Sequence, residues 1–111
     1  MPKMTGGQYI AESFKGYVVT HAFLVPAILR KTLVEMDKRG IRPIVTHGEK
    51  AAAYMADGYA RASHRIGVCM AQSVGAANLA AGLQDAKLAL SPVMAITGHR
   101  PATKVSTPTR R

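Results

Sequence analysis

The stretch HGEKAAAYMADGYAR, His47 to Arg61, decides how the chain is read. A short apolar run, Ile44-Val45, leads into it, and an alanine-rich helical pattern over residues 49–62 leads out. A strand, a glycine turn and a helix make half of a βαβ crossover. One carboxylic acid, Glu49, stands at the junction.

The same alternation extends in both directions. Downstream, residues 65–71 predict a strand, with GVCMA fully apolar after its glycine, and 75–90 predict a helix with Leu79, Leu83, Ala86 and Leu90 along one face. Residues 92–97 then predict a strand closed by Gly98. Upstream, 41–46 predict a short strand, and 28–39 an amphipathic helix with Leu29, Leu33 and Met36 inward and Gly40 as its stop. Before these, YVVTHAFLV at 17–25 predicts a strand ended by Pro26, and 6–15 an opening helix whose Ala11 and Phe14 share an inner face. Strands alternating with helices imply the α/β class, a parallel sheet with helices on both faces. The strands are continuous apolar runs, as burial on both sides requires. Right-handed crossovers bring every strand exit to one edge, where ligands bind in such sheets. That edge gathers Pro26, His47-Gly48-Glu49, Gln72 to Gly75, and Thr97 to His99.

The 111 residues are read as one domain over 1–101 with a basic tail over 102–111. The tail, ATKVSTPTRR, has almost no apolar bulk and is read as disordered. The single cysteine, Cys69, lies in an apolar run and is expected to be buried and inert. It can form no internal disulfide, and no metal-ligand spacing surrounds it. The start, MPKMTGGQ, lacks the apolar core of a secretion signal, and no apolar run is long enough to span a bilayer. A cytoplasmic protein is expected. The formal charge of +9 raises the question of nucleic acid. It is scattered over the body without interleaved aromatics, as solvated helix faces are. The competing function is a non-catalytic α/β module whose tail binds nucleic acid or another polyanion.

Glu49 admits two readings. An acid in the first turn of a helix complements the helix dipole by a few tenths to ~1 kcal/mol, which alone would explain it. Against this, Ala51, Ala52 and Ala53 offer neither charge nor bulk, Lys50 belongs to another face, and Gly48 opens the backbone. Shelter from water favours the protonated carboxyl, and the helix dipole favours the anion.

In order, the chain carries Val25-Pro26-Ala27, then HGEKAAAYMADGYARAS, then GVCMAQSVGAANLAAGLQDA, then SPVMAITG. This resembles the N-terminal, pyrimidine-binding domain of thiamine-diphosphate-dependent enzymes of the acetolactate synthase and pyruvate decarboxylase group. The family pattern is Val-Pro-Gly after the first strand, then Glu-x-x-Ala-x-x-x-Ala-x-Gly-Tyr-Ala-Arg. Next comes Gly-Pro-Gly-x-x-Asn with a Gly-Leu-x-x-Ala helix, then a strand ending in Thr-Gly. The match runs from about Met4 to Pro101, and the motif over Glu49 to Arg61 is its most specific part.

The resemblance implies thiamine diphosphate as cofactor and a 2-keto acid as substrate. It implies that Glu49 is catalytic: its carboxyl bonds a pyrimidine ring nitrogen and promotes the imino form that takes the thiazolium proton. Pro26 and Ala27 fall where strand-end backbone lies near the pyrimidine, with Ala27 in place of glycine. Ser73-Val74-Gly75 replaces Gly-Pro-Gly in a loop one residue shorter. Asn78 matches an asparagine that lines the site, and equally suits a polar residue at a helix start. Ser63-His64-Arg65 replaces a glycine turn. His47 is read as solvent-facing or structural, Tyr54 and Tyr59 as core or interface aromatics, and Gln72 and His99 have no assigned role.

The family grips Mg²⁺ and the diphosphate on a second domain marked by Gly-Asp-Gly, which does not occur in these 111 residues. The resemblance therefore implies no metal site here, and a partner domain or subunit of the same enzyme. It also implies a homo-oligomer, and a sheet truncated near residue 101 that is inactive alone.

Overall fold

The computed structural model describes residues 3–27 and 29–99. The basic segment 102–111 and Ile28, the expected first residue of the second helix, lie outside the described residues. The elements run α1 (Gly6–Gly16), β1 (His21–Leu24), α2 (Arg30–Lys38), β2 (Arg42–Val45), α3 (Glu49–Ser63), β3 (Gly67–Gln72), α4 (Ser73–Leu88) and β4 (Val93–Gly98). The strands form one sheet in the order β2-β1-β3-β4, every pair parallel. The expected α/β fold with helices on both faces is the one observed.

Alternation along the central strands divides the core in two. Ala22, Leu24, Val68 and Met70 face one side, where they meet Ala11 and Phe14 of α1 and Met36 of α2. Phe23, Cys69 and Ala71 face the other, against Ala52, Ala53 and Ala56 of α3 and Leu79 of α4. Side chains two apart on a strand share a face, so each helical pair reads one parity of β1 and β3. The two edge strands are less covered: Arg42, Pro43 and Val45 of β2 are exposed, as are Met94 and Thr97 of β4. Continuous burial, expected for every strand, is therefore confined to β1 and β3. Pro43 lacks an N–H and is tolerated because β2 is an edge strand.

Burying alanine rather than leucine lets α3 lie close to the sheet. A side-chain carbon at Gly67 would collide with the carbonyl oxygen of Ala56, so the glycine in front of β3 is what admits that approach. Arg39 ties α1 to α2, its Nε donating to Glu12 at 2.6 Å and its Nη1 to Glu35 at 2.7 Å.

Three boundaries differ from expectation. The first strand begins at His21, not at residue 17, because Tyr17 to Val19 complete the end of α1. Val18 N–H donates to the Lys15 carbonyl and Val19 N–H to that of Phe14, with Val18 at φ 61°. This is a Schellman closure with valine in the left-handed position usually held by glycine. The same pair of bonds closes α4 through Leu90, at φ 56°, so Leu90 leaves the helix and stands exposed instead of on its inner face. Thirdly, α4 starts at Ser73, so Ser73-Val74-Gly75 is a helical first turn and not a loop.

Candidate functional site

Glu49 opens α3 immediately after β2, with Gly48 in extended backbone as the N-cap and no side-chain cap. Its side chain is half-buried and leans toward α4. Asn78, in the second turn of α4, donates from Nδ2 to Glu49 Oε2 at 3.3 Å. The other carboxylate oxygen lies over Gly75: a carbon attached to that glycine would stand 2.6 Å from Oε1. Glu49 is thus held between an amide donor and a bare backbone, both supplied by the neighbouring helix.

Those contacts require α3 and α4 to run close together, and small residues permit it. Gly75, Leu79, Gly82 and Ala86 form the buried face of α4, and Ala52, Ala53, Ala56, Asp57 and Ala60 that of α3. The sequence expectation of Leu79, Leu83, Ala86 and Leu90 shares Leu79 and Ala86 with this face and passed over both glycines. Their spacing with Leu79 and Ala86, four, three and four residues, was the signal that would have found them.

An open cleft of about 390 Å³ lies against this pair, lined by Gly48, Glu49, Lys50, Ala77, Asn78 and Ala81. Ala51 to Ala53, read as leaving Glu49 without charge or bulk beside it, do not line this cleft: Ala52 and Ala53 are fully buried in the core, and Ala51 is exposed. Ala77 and Ala81 of α4 supply the apolar wall instead. Lys50, expected on a different face, shares the lining. Sequence reasoning missed Lys50, Ala77 and Ala81 because which residues share a wall is set by how two helices meet.

The remaining candidates gather elsewhere on the same sheet edge. Ala27 meets Leu24, Val25, Leu29, Leu33, Met70, Ala71 and Gln72 at the exits of β1 and β3, a seam with no space for a water molecule. The strand order reverses direction between β1 and β3, the place where ligands are expected in open α/β sheets. Here apolar packing fills that place, and the open cleft lies at the N-terminal ends of α3 and α4. Pro26 is exposed, and Ser73 is exposed at the first position of α4. Neither Pro26, Ala27 nor Ser73 lines the cleft that holds Glu49 and Asn78.

His47 is exposed, and Tyr59 bonds to the Thr20 hydroxyl and rests against the His21 and Phe23 rings, far along α3 from the cleft. Cys69 is fully buried on β3, and burial pushes its thiol up to about 11. Among the described residues no group of three His, Cys, Asp or Glu side chains could hold a metal ion. Nor is any helix among them long and apolar enough to cross a membrane.

The residues at the cleft suit the edge of an aminopyrimidine. A carboxyl group can bond a ring nitrogen, an amide beside it restricts its rotation, and two alanine methyls offer an apolar wall to a ring. The cleft volume falls within the roughly 300–1,000 Å³ typical of small-molecule sites.

The family model described as thiamine pyrophosphate enzyme, N-terminal TPP binding domain, matches residues 4–110. The chain is 35% identical to an acetolactate synthase of Arthrospira platensis over 111 residues, covering 95% of this chain and 19% of that protein. It is 36% identical to the acetolactate synthase isozyme 2 large subunit of Escherichia coli (strain K12) over 106 residues, covering 94% of this chain and 19% of that one. With an acetolactate synthase of Mycobacterium avium the identity is 35% over 108 residues, covering 95% and 17%. The chain therefore spans less than one fifth of the length of these relatives.

Proposed function

The chain belongs to the thiamine pyrophosphate enzyme N-terminal TPP binding domain family, and from that premise we propose that it is the pyrimidine-binding part of an acetolactate synthase-like 2-keto acid decarboxylase or carboligase. The observation that carries this reading is the Glu49 carboxyl, seated on Gly75 and bonded by Asn78 at the mouth of an open cleft.

Glu49 and Asn78 would hold the pyrimidine ring. Bound thiamine diphosphate supplies a carbon nucleophile for the keto carbon and an electron sink when carbon dioxide leaves. Glu49 holds a proton at its carboxyl and shares it with a ring nitrogen. Such sharing is most effective when acid and base have similar proton affinities. Asn78 donates to Oε2 and keeps the carboxyl from rotating out toward water. Pro26, Ala27 and Ser73 would contribute backbone from neighbouring strand exits, a role supported by their shared sheet edge alone.

Another domain or subunit of the same enzyme would hold the diphosphate and Mg²⁺. The small share of the relatives' length that the chain spans supports this, as does the lack of Gly-Asp-Gly in its 111 residues. On this reading the chain alone is inactive, a homo-oligomer completes the cleft, and the work takes place in the cytoplasm, in keeping with one buried thiol.

The test is reconstitution. A diphosphate-binding domain of the family is added to the chain with thiamine diphosphate, Mg²⁺ and pyruvate, and carbon dioxide release is followed. Release is expected to fall by about 10²–10⁴-fold in Glu49→Gln, the usual span for a lost acid–base group. Full turnover in that variant removes Glu49 from the chemistry.

A further inference from the structure

We infer that Gly75 is a positioning residue for Glu49, its missing side chain being the seat on which the carboxyl rests. The inference rests on the pyrimidine-binding reading above and extends it to a residue that touches no cofactor in that scheme.

Three glycines in this half of the molecule lack room for a side chain, for different reasons. At Gly67 the obstacle is the Ala56 backbone, and at Gly82 it is the Ala53 methyl together with the Lys50 carbonyl and Tyr54 amide. These glycines set the distance between elements. At Gly75 the three nearest atoms all belong to one side chain: Oε1, Cγ and Cδ of Glu49, at 2.6, 2.9 and 3.0 Å from an added carbon. No backbone atom is among them.

Glycine is otherwise a poor choice there. Gly75 is the third residue of α4 and has no positive φ, so its conformation is one that alanine adopts readily, and alanine is the better helix former. What the glycine provides is the space the carboxyl fills. A methyl at position 75 would have to displace Cγ as well as the carboxyl, so the whole Glu49 side chain must swing aside, and with no backbone atom among the nearest obstacles it does so at little cost to folding. The move would carry Oε2 away from Asn78 Nδ2, whose bond at 3.3 Å has no slack. The substitution should spare the fold and lose the carboxyl's placement.

The experiment uses the full chain labelled with carbon-13 and nitrogen-15. In Gly75→Ala the Glu49 Cδ and Asn78 Nδ2 resonances are expected to shift while the melting temperature holds. Thiamine, added as a pyrimidine probe without diphosphate, is expected to bind about tenfold more weakly, the scale of one hydrogen bond. In a Glu49→Ala background, adding Gly75→Ala is expected to raise the melting temperature, because the obstruction is gone and only the gain in helix propensity remains. Unmoved Glu49 Cδ and Asn78 Nδ2 signals overturn the seat. So does a melting loss from Gly75→Ala that is equally large with and without Glu49, which would make the glycine a packing residue. Should the signals shift as expected while thiamine leaves wild-type Glu49 Cδ undisturbed, the seat stands and the pyrimidine reading falls.

Discussion

Gly82 of α4 lies against Ala53 of α3 with so little clearance that a side-chain carbon on the glycine would stand 2.6 Å from the alanine methyl. One turn back along each helix, Asn78 meets Glu49. The two contacts belong to one seam, so the distance fixed at the first determines whether the second forms.

Gly82→Ala should therefore cost stability, unlike the exchange at Gly75. Two of the obstacles are backbone atoms, the Lys50 carbonyl oxygen at 2.9 Å and the Tyr54 nitrogen at 3.2 Å, and they cannot swing aside. Overpacking of this kind costs about 1–3 kcal/mol. Urea unfolding measures it, and a variant as stable as the parent would show that the seam is not close-packed.

Acid should weaken the protein through Asp57. This buried carboxylate receives Nε of Arg61 at 2.9 Å on one oxygen and Nη2 at 2.8 Å on the other. Hydrogen bonding from Arg61 first, then from Ser91, holds its pKa below the usual aspartate value of 3.8, against the opposing effect of burial. A depressed folded-state pKa means stabilisation that is complete above the unfolded value and is lost as pH falls through the folded one. Stability should thus decline below about pH 4 in the parent, and less so in Asp57→Asn, which starts lower by about 1 kcal/mol because water screens the half-exposed arginine. Parallel acid unfolding curves for the two proteins would contradict this.

Val18→Gly should stabilise the chain. A β-branched residue at φ 61° is held in the left-handed region by the closure of α1, at a cost of about 1–2 kcal/mol. Its side chain is 57% exposed, so little packing is lost with it. Glycine's greater freedom in the unfolded chain offsets part of the relief, leaving a net gain of about 0.5–1 kcal/mol. A lower melting temperature would mean that Val18 packs in a way its exposure does not reveal.

Cys69 should ignore thiol reagents while the protein is folded. Its thiol is pushed up to about 11 by burial, and the attacking species in such reactions is the thiolate. With an aromatic disulfide reagent at pH 8, colour is expected to develop at the rate of unfolding and to become immediate in denaturant. Immediate reaction in native buffer would place the thiol at the surface.

Much of the fold was legible in the chain. The apolar runs around Phe23 and Cys69, each followed by a helical pattern, marked the two buried strands, because a strand covered on both faces must be apolar at every position. The exits gathered at one edge, and Glu49 was marked as the solitary acid at such an exit. The end of α1 was not legible. Tyr17 and Val18 have strand-forming side chains, but the backbone bonds that close the helix outweighed their preference. Leu90 was misplaced for the same reason. The topological rule pointed to the exits of β1 and β3, where Leu29 and Leu33 of the crossover fill the crevice.

Sequence alone determined which elements form, their parallel sense and the presence of an acid at the start of α3, because these follow from local periodicity and from the limited reach of a βαβ crossover. Tertiary structure alone decided what surrounds that acid. The bond from Asn78 (a residue the resemblance had already placed at the site), the bare seat at Gly75 and the wall of Ala77 and Ala81 all come from α4, more than twenty residues away. Their meeting depends on how closely two helices pack, a distance set by glycines and alanines whose spacing carries no label for the surface they face.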